Sequence, residues 1–202
     1  MIVLVGRHQR GGAHGATAEP PGGPVDGGVG VPPAVLGGTE DLGRRREQEA
    51  RASADALGVA RLVLLGYGDS GSDQPDEATT WPAGSFRAAP VAEAGERLAA
   101  VLREEDAAVL VADDANGGYG HPDHRQVHRV AAAAAALTGL PFAQVTIDRE
   151  FLAGGIELAR GMGLEVPDGF VPPDVSSWYT AHDDITHTVD ACLLYTSPSP
   201  RD

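Results

Sequence analysis

Apolar positions along the chain fall into two kinds of pattern: short unbroken runs and longer stretches at helical spacing. Ile2–Val5 is a run of four apolar residues that stops at Gly6-Arg7, which predicts a short buried strand. Arg44–Leu57 carries an amphipathic helical pattern ended by Gly58, and Val59–Leu65 reads as the strand that follows. Val91–Glu104 predicts a second helix, and Ala107–Ala112 the central strand. Val127–Leu137 is an alanine-rich helix closed by Gly139, Phe142–Ile147 another strand, and Arg149–Met162 a final helix. Strands alternating with helices predict an α/β fold with a mainly parallel sheet and crossover connections.

Three stretches break the pattern. From Gly6 to about Gly38 the chain is a Gly/Pro/Ala mixture without apolar period, so residues 1–41 are expected to form an anomalous, disordered segment that buries too little surface to offset its ordering entropy. Ser72–Ala88 is polar and interrupted by proline, the mark of a surface excursion. Residues 191–202, with Thr196-Ser197-Pro198-Ser199-Pro200-Arg201-Asp202, resemble the translated tail of a sequencing adapter and are expected to be artefactual. One domain, residues 42–190, is left.

Composition narrows the partners. A net charge of −14 over 202 residues disfavours nucleic acid and anionic membranes, both of which need a basic face. A neutral or cationic small molecule fits better. Cys192 is the single cysteine, so no disulfide can form within the chain, and a reducing, cytoplasmic setting is the expectation. No apolar run reaches the length of a membrane span or a signal h-region. Self-association into a homo-oligomer is compatible with these features and specified by none of them.

The chemistry concentrates in Asn116-Gly117-Gly118-Tyr119-Gly120-His121-Pro122-Asp123-His124, a glycine-rich turn between the central strand and the next helix. Open α/β sheets place their sites at such strand exits. Two imidazoles flanking a carboxylate can combine metal ligation with proton transfer. The plainer reading is a helix start, with Pro122 in the first turn and Asp123 complementing the dipole; the preceding Gly-Gly-Tyr-Gly favours function. Asp113 and Asp114 are as suited to capping the loop as to standing behind His121. Asp69, in Gly66-Tyr67-Gly68-Asp69-Ser70-Gly71, is a turn residue or a site residue, with the site slightly favoured. Arg46 shares a run with Arg44 and Arg45, which a solvated charge cluster explains equally well. His128, four residues beyond His124, is more readily a helix-surface histidine, and His182 and His187 are more readily structural.

Three stretches together resemble the LmbE-like zinc N-deacetylases, the family of N-acetylglucosaminyl-phosphatidylinositol de-N-acetylase and of the mycothiol deacetylase and mycothiol conjugate amidase. They are Arg46-Glu47-Gln48-Glu49 leading to Ala56-Leu57-Gly58-Val59, then Leu65 to Gly71, and the Asn116–His124 signature with His128 behind it. A weaker echo is Ile185-Thr186-His187-Thr188-Val189-Asp190. The resemblance implies a Rossmann-like three-layer sandwich that hydrolyses the amide of an amino-sugar or thiol conjugate, with one Zn2+ per chain. It implies that His124 is a zinc ligand, that His121 protonates or stabilises the oxyanion with Asp123 orienting it, and that Tyr119 assists over the substrate. Arg46 and Asp69 would hold sugar hydroxyls. His8 and His14 match no family motif, and the family's His-Pro-Asp-Asp motif is absent. A shifted reading frame over Arg7–Gly15 would make Met1 an internal start with the metal motif lost upstream, and the chain is then expected to be a weak metal binder with impaired activity. The alternative from another class is a non-catalytic sugar-binding or structural α/β domain.

Overall fold

The computed structural model describes residues 2–5, 39–71, 80–163 and 175–189. Most of the segment expected to be disordered, the tail and Cys192 lie outside these residues, as do His8 and His14. The chain divides into two units, Met1–Gly66 and Tyr67–Asp202.

In the first unit, strand β1 (Ile2–Val5) pairs antiparallel with β2 (Arg61–Leu64), with Ile2 opposite Leu64 and Val5 opposite Arg61. This pairing departs from the parallel arrangement expected of strands separated by a helix. Helix α1 (Thr39–Ala56) joins the pair from the sequence side, starting five residues before the expected Arg44. Its exposed flank carries ion pairs at helical spacing, Arg45–Glu49 at 3.0 Å and Arg51–Glu47 at 2.6 Å. Such solvated, salt-screened pairs add little to the stability of a helix. Gly58, at φ +66°, ends the helix in the left-handed conformation that glycine adopts without steric cost.

The second unit holds the α/β core. Helix α2 (Val91–Glu104) buries Ala94, Gly95, Leu98, Ala99, Val101 and Leu102, an i, i+3/i+4 stripe. That stripe packs against α3 (Pro122–Thr138) through Val130, Ala131 and Ala134, each fully buried. Small residues set the spacing: a Cβ added at Gly95 would stand 3.0 Å from the Cβ of Ala133. The buried Gln126 donates from Nε2 to the Ala89 carbonyl at 2.9 Å and so fastens α3 to the segment before α2. Strand β3 (Leu110–Asp113) pairs parallel with β4 (Phe142–Val145), Leu110 opposite Phe142, and helix α4 (Arg149–Gly161) follows. The α/β class and the parallel crossover agree with the sequence reading. Within β3, Leu110 is buried while Val111 is 55% exposed, so only one face of the strand meets the helices among the described residues.

Helix α3 starts at Pro122, five residues earlier than the apolar pattern indicated, because His121 caps it and Pro122 supplies the fixed φ of a first turn. That shift moves Asp123 and His124 from a loop onto the helix. Beyond α4, Asp148 caps the helix by accepting the Phe151 N–H at 3.0 Å and also accepts His182 Nδ1–H at 2.6 Å. The Asp148 hydrogen bond holds His182 above its ordinary value of 6.5, and His182 holds Asp148 below its ordinary 3.8. The raised imidazole stabilises the fold fully below pH 6.5 and loses that contribution as pH rises through its own value; the depressed carboxylate does so above pH 3.8 and loses it as pH falls. An NMR titration should therefore place the His182 ring above 6.5, and Asp148→Asn should return it towards 6.5. An unchanged midpoint in that variant would rule the pair out as the cause.

Candidate functional site

The site forms where β3 ends and α3 begins. Asp113 and Asp114 close the strand, and Asn116–Gly120 makes the turn. Gly117, Gly118 and Gly120 all have positive φ, at 67°, 61° and 93°. At Gly117 a side chain is excluded by space as well: a Cβ there would lie 2.6 Å from the Arg125 backbone nitrogen. The glycine run therefore lets the turn fold back onto the first turn of α3.

His121 caps α3, its Nδ1 accepting the Asp123 N–H at 3.2 Å. That bond fixes the tautomer, leaving Nε2 to carry the proton when the ring is neutral. His124 donates from Nδ1 to Asp113 Oδ2 at 3.0 Å, which leaves the lone pair on Nε2 of the neutral ring, the nitrogen that can ligate a metal. The two rings lie 5.4 Å apart, and Tyr119, 47% exposed, stands 6.0 Å from His121 and 5.5 Å from His124. The structure thus brings together three of the residues singled out from the sequence.

Asp123 is used differently from the expected role of orienting His121. Its main-chain N–H orients the ring, while its carboxylate accepts the Ser70 N–H at 3.0 Å and the Ser70 hydroxyl at 2.5 Å. Ser70, buried, also accepts the Arg87 N–H on Oγ at 2.9 Å. Burial lowers the Arg87 guanidinium from its ordinary value, Arg129 lowers it further, and the Asp123 charge opposes both. Ser70 thereby ties the loop after β2 to the helix that carries the imidazoles. Asp69 sits beside it, exposed, its Oδ1 accepting the Gly71 N–H at 2.7 Å in a tight turn. Replacing Ser70 by alanine removes a hydrogen bond to a charged carboxylate and should lower stability by about 1.5–3 kcal/mol. Urea unfolding at constant slope measures it; an unmoved midpoint would show the tie to be dispensable.

Arg46 belongs to the first unit, exposed on α1 and bonded to Glu49 at 2.9 Å. Hydrogen bonds from Arg45 and Arg46 hold the Glu49 carboxyl below its usual range. His128 donates from Nδ1 to the Asp113 carbonyl at 3.2 Å and packs 5.7 Å from Phe142, a structural role. His187 is exposed beside its neighbour Thr186.

The two aspartates, left open between capping and support, divide the work. Asp113 stands behind His124, whereas Asp114 is buried and caps the loop by accepting the Gly118 N–H at 3.0 Å. Asp114 also accepts the hydroxyls of Thr146 at 2.6 Å and Thr180 at 3.2 Å, so one carboxylate joins the turn, the exit of β4 and the 175–182 segment. Two further residues escaped the sequence reading. Trp178 lies 6.2 Å from Tyr119, and Arg149 donates to the carbonyls of Trp178 and Tyr179 at 2.8 and 2.9 Å. Tyr179 has φ +51°, a left-handed backbone that costs about 1–3 kcal/mol for a residue of its size and persists only where neighbours enforce it. No local signal marks these residues, because their partners lie 29 to 63 positions away.

A catalytic zinc needs three protein donors and an open position. Among the described residues no three His, Cys, Asp or Glu side chains come together. His124, backed by Asp113, is one prepared donor, and by themselves these residues do not make a complete metal site. Also among the described residues, no helix is long and apolar enough to cross a membrane.

A family model described as PIG-L, GlcNAc-PI de-N-acetylase, matches residues 10–135, and so begins inside the segment expected to be anomalous. Similar curated proteins carry the name 1D-myo-inositol 2-acetamido-2-deoxy-alpha-D-glucopyranoside deacetylase. One from a Nocardioides species is 36% identical over 179 residues, 74% of this chain and 58% of that protein. One from Streptomyces avermitilis is 44% identical over 119 residues, 55% of this chain and 40% of that protein. Another from Geodermatophilus obscurus is 37% identical over 152 residues, 63% of this chain and 49% of that protein. The chain spans about half the length of the curated relatives it matches.

Proposed function

Since the chain belongs to the GlcNAc-PI de-N-acetylase family, we propose that its second unit carries part of an amide-hydrolysing site that removes the acetyl group from a 2-acetamido sugar conjugate. The convergence of Tyr119, His121 and His124 at the mouth of β3 carries this reading. Hydrolysis of an amide needs the oxyanion stabilised and the departing amine protonated. His121 suits the first task, because its Nδ1 is occupied by the helix cap and its Nε2–H can donate a hydrogen bond to the oxyanion. Tyr119 offers a phenolic hydroxyl to the oxyanion. Asp123 acts through Ser70 and its own N–H as a positioning residue. Asp69 and Arg46 are proposed contacts for sugar hydroxyls, and the proposed setting is the cytoplasm.

Zinc is the proposed metal and His124 its proposed ligand, with no group of three donors among the described residues. Because that donor set is incomplete, no step is assigned to the metal, and the activity of this chain is proposed to fall below that of the longer relatives. The test is release of acetate from a 2-acetamido-2-deoxy-glucopyranoside, alongside metal analysis. Acetate release that His124→Ala abolishes together with bound zinc supports the reading. Zinc content unchanged by His124→Ala would remove that residue from the donor set. The scarcity of donors among the described residues favours a second reading, a sugar-binding domain without hydrolysis. Calorimetric heat on adding the sugar with no acetate formed would select it.

A further inference from the structure

Among the described residues, Trp178 is a large aromatic side chain beside Tyr119 that the proposed chemistry leaves unused. Its ring meets Tyr119 edge-on at 6.2 Å and 64°, and Tyr119 in turn meets both imidazoles. Trp178 is only half-buried and Tyr119 is 47% exposed, so the pair is not core packing. The backbone beneath it is over-determined. Trp178 N–H donates to the Val175 carbonyl at 3.0 Å, and its own carbonyl accepts from Arg149. Tyr179, held in its left-handed conformation, donates its N–H to Gly118 at 2.8 Å and accepts from Arg149 and from Asn116 Nδ2. The Tyr179 ring lies against Gly118, where an added Cβ would meet Cε1 at 3.2 Å. Strain at one residue thus secures its neighbour to the signature turn, an arrangement typical of binding positions.

We propose that Trp178 is a substrate-binding residue, forming with Tyr119 an aromatic wall against which the C–H face of a hexopyranoside packs beside His121 and His124. The wall selects for a pyranose ring, since sugar C–H groups are apolar on one face and rigid aromatic rings bind such faces at little entropic cost. This inference rests on the deacetylase reading and adds its specificity determinant.

The chain has two tryptophans, Trp81 and Trp178, so Trp81→Phe leaves Trp178 as the sole indole reporter. Titration of that variant with methyl 2-acetamido-2-deoxy-α-D-glucopyranoside should shift its emission saturably. Trp178→Ala should weaken binding of the same probe about tenfold and raise KM for acetate release about as much, with kcat within about twofold, while Trp178→Phe recovers most of the loss. If Trp178→Ala fails to fold, the emission titration and Trp178→Phe decide the matter. Probe binding by calorimetry with unmoved emission and undiminished affinity in Trp178→Ala would overturn the proposal and leave the deacetylase reading standing. Absence of both probe heat and acetate release in the unsubstituted chain would overturn both.

Discussion

His121→Asn is expected to slow acetate release by about two to four decades while leaving the fold intact. Asparagine is among the best helix caps, so it can still accept an N–H of the first turn, the task that His121 Nδ1 performs for Asp123 at 3.2 Å. What it lacks is the ring Nε2–H placed to donate a hydrogen bond to the oxyanion. His121→Ala removes both functions and should add a stability loss of about 1 kcal/mol to the same kinetic defect. Comparing the two variants by initial rates and by urea midpoints separates chemistry from capping. Full activity in His121→Asn would remove His121 from the reaction and leave it a structural cap.

Gly117→Ala should destabilise the second unit by about 3 kcal/mol, the sum of a left-handed backbone without glycine and a forced contact. The residue sits at φ +67°, and its new methyl would meet the Arg125 backbone nitrogen at 2.6 Å, the Arg125 Cγ at 2.8 Å and the His124 carbonyl carbon at 3.0 Å. Two of these three atoms are main chain of α3, so a rotamer change cannot relieve the clash. The first turn of the helix has to move, and His121 and His124 with it. A drop in the urea midpoint accompanied by loss of acetate release is the expected outcome; a midpoint within error of the parent would show that the turn has room the geometry denies it. Gly139→Ala is the matching control: at φ +72° it carries similar backbone strain, yet nothing stands within 4 Å of the added carbon. Its cost should be limited to about 1–2 kcal/mol.

The fold was legible wherever local pattern suffices. The apolar stripe of α2 and the parallel pairing of β3 with β4 follow from periodicity and from strand–helix alternation, because burial of one helix face is the main source of that order. The glycine run at 117–120 announced a turn needing positive φ, and the helix after it was visible except for its start. The antiparallel pairing of β1 with β2 was not legible, since the helical pattern at Arg44–Leu57 between them predicts a parallel crossover and the stretch from Gly6 to about Gly38 carries no apolar period to amend it.

The chemical inventory of the site, imidazoles beside a glycine-rich turn at a strand exit, is a property of the residue order, since those groups adjoin one another along the chain. Which partner each group meets is another matter. Asp123 meets Ser70 across 53 positions, Asp114 meets Thr180 across 66, and Tyr119 meets Trp178 only because Arg149 and a left-handed Tyr179 hold that segment down. Side chains capable of several bonds take the one that packing delivers to them, and packing is settled by the whole core rather than by neighbours in sequence.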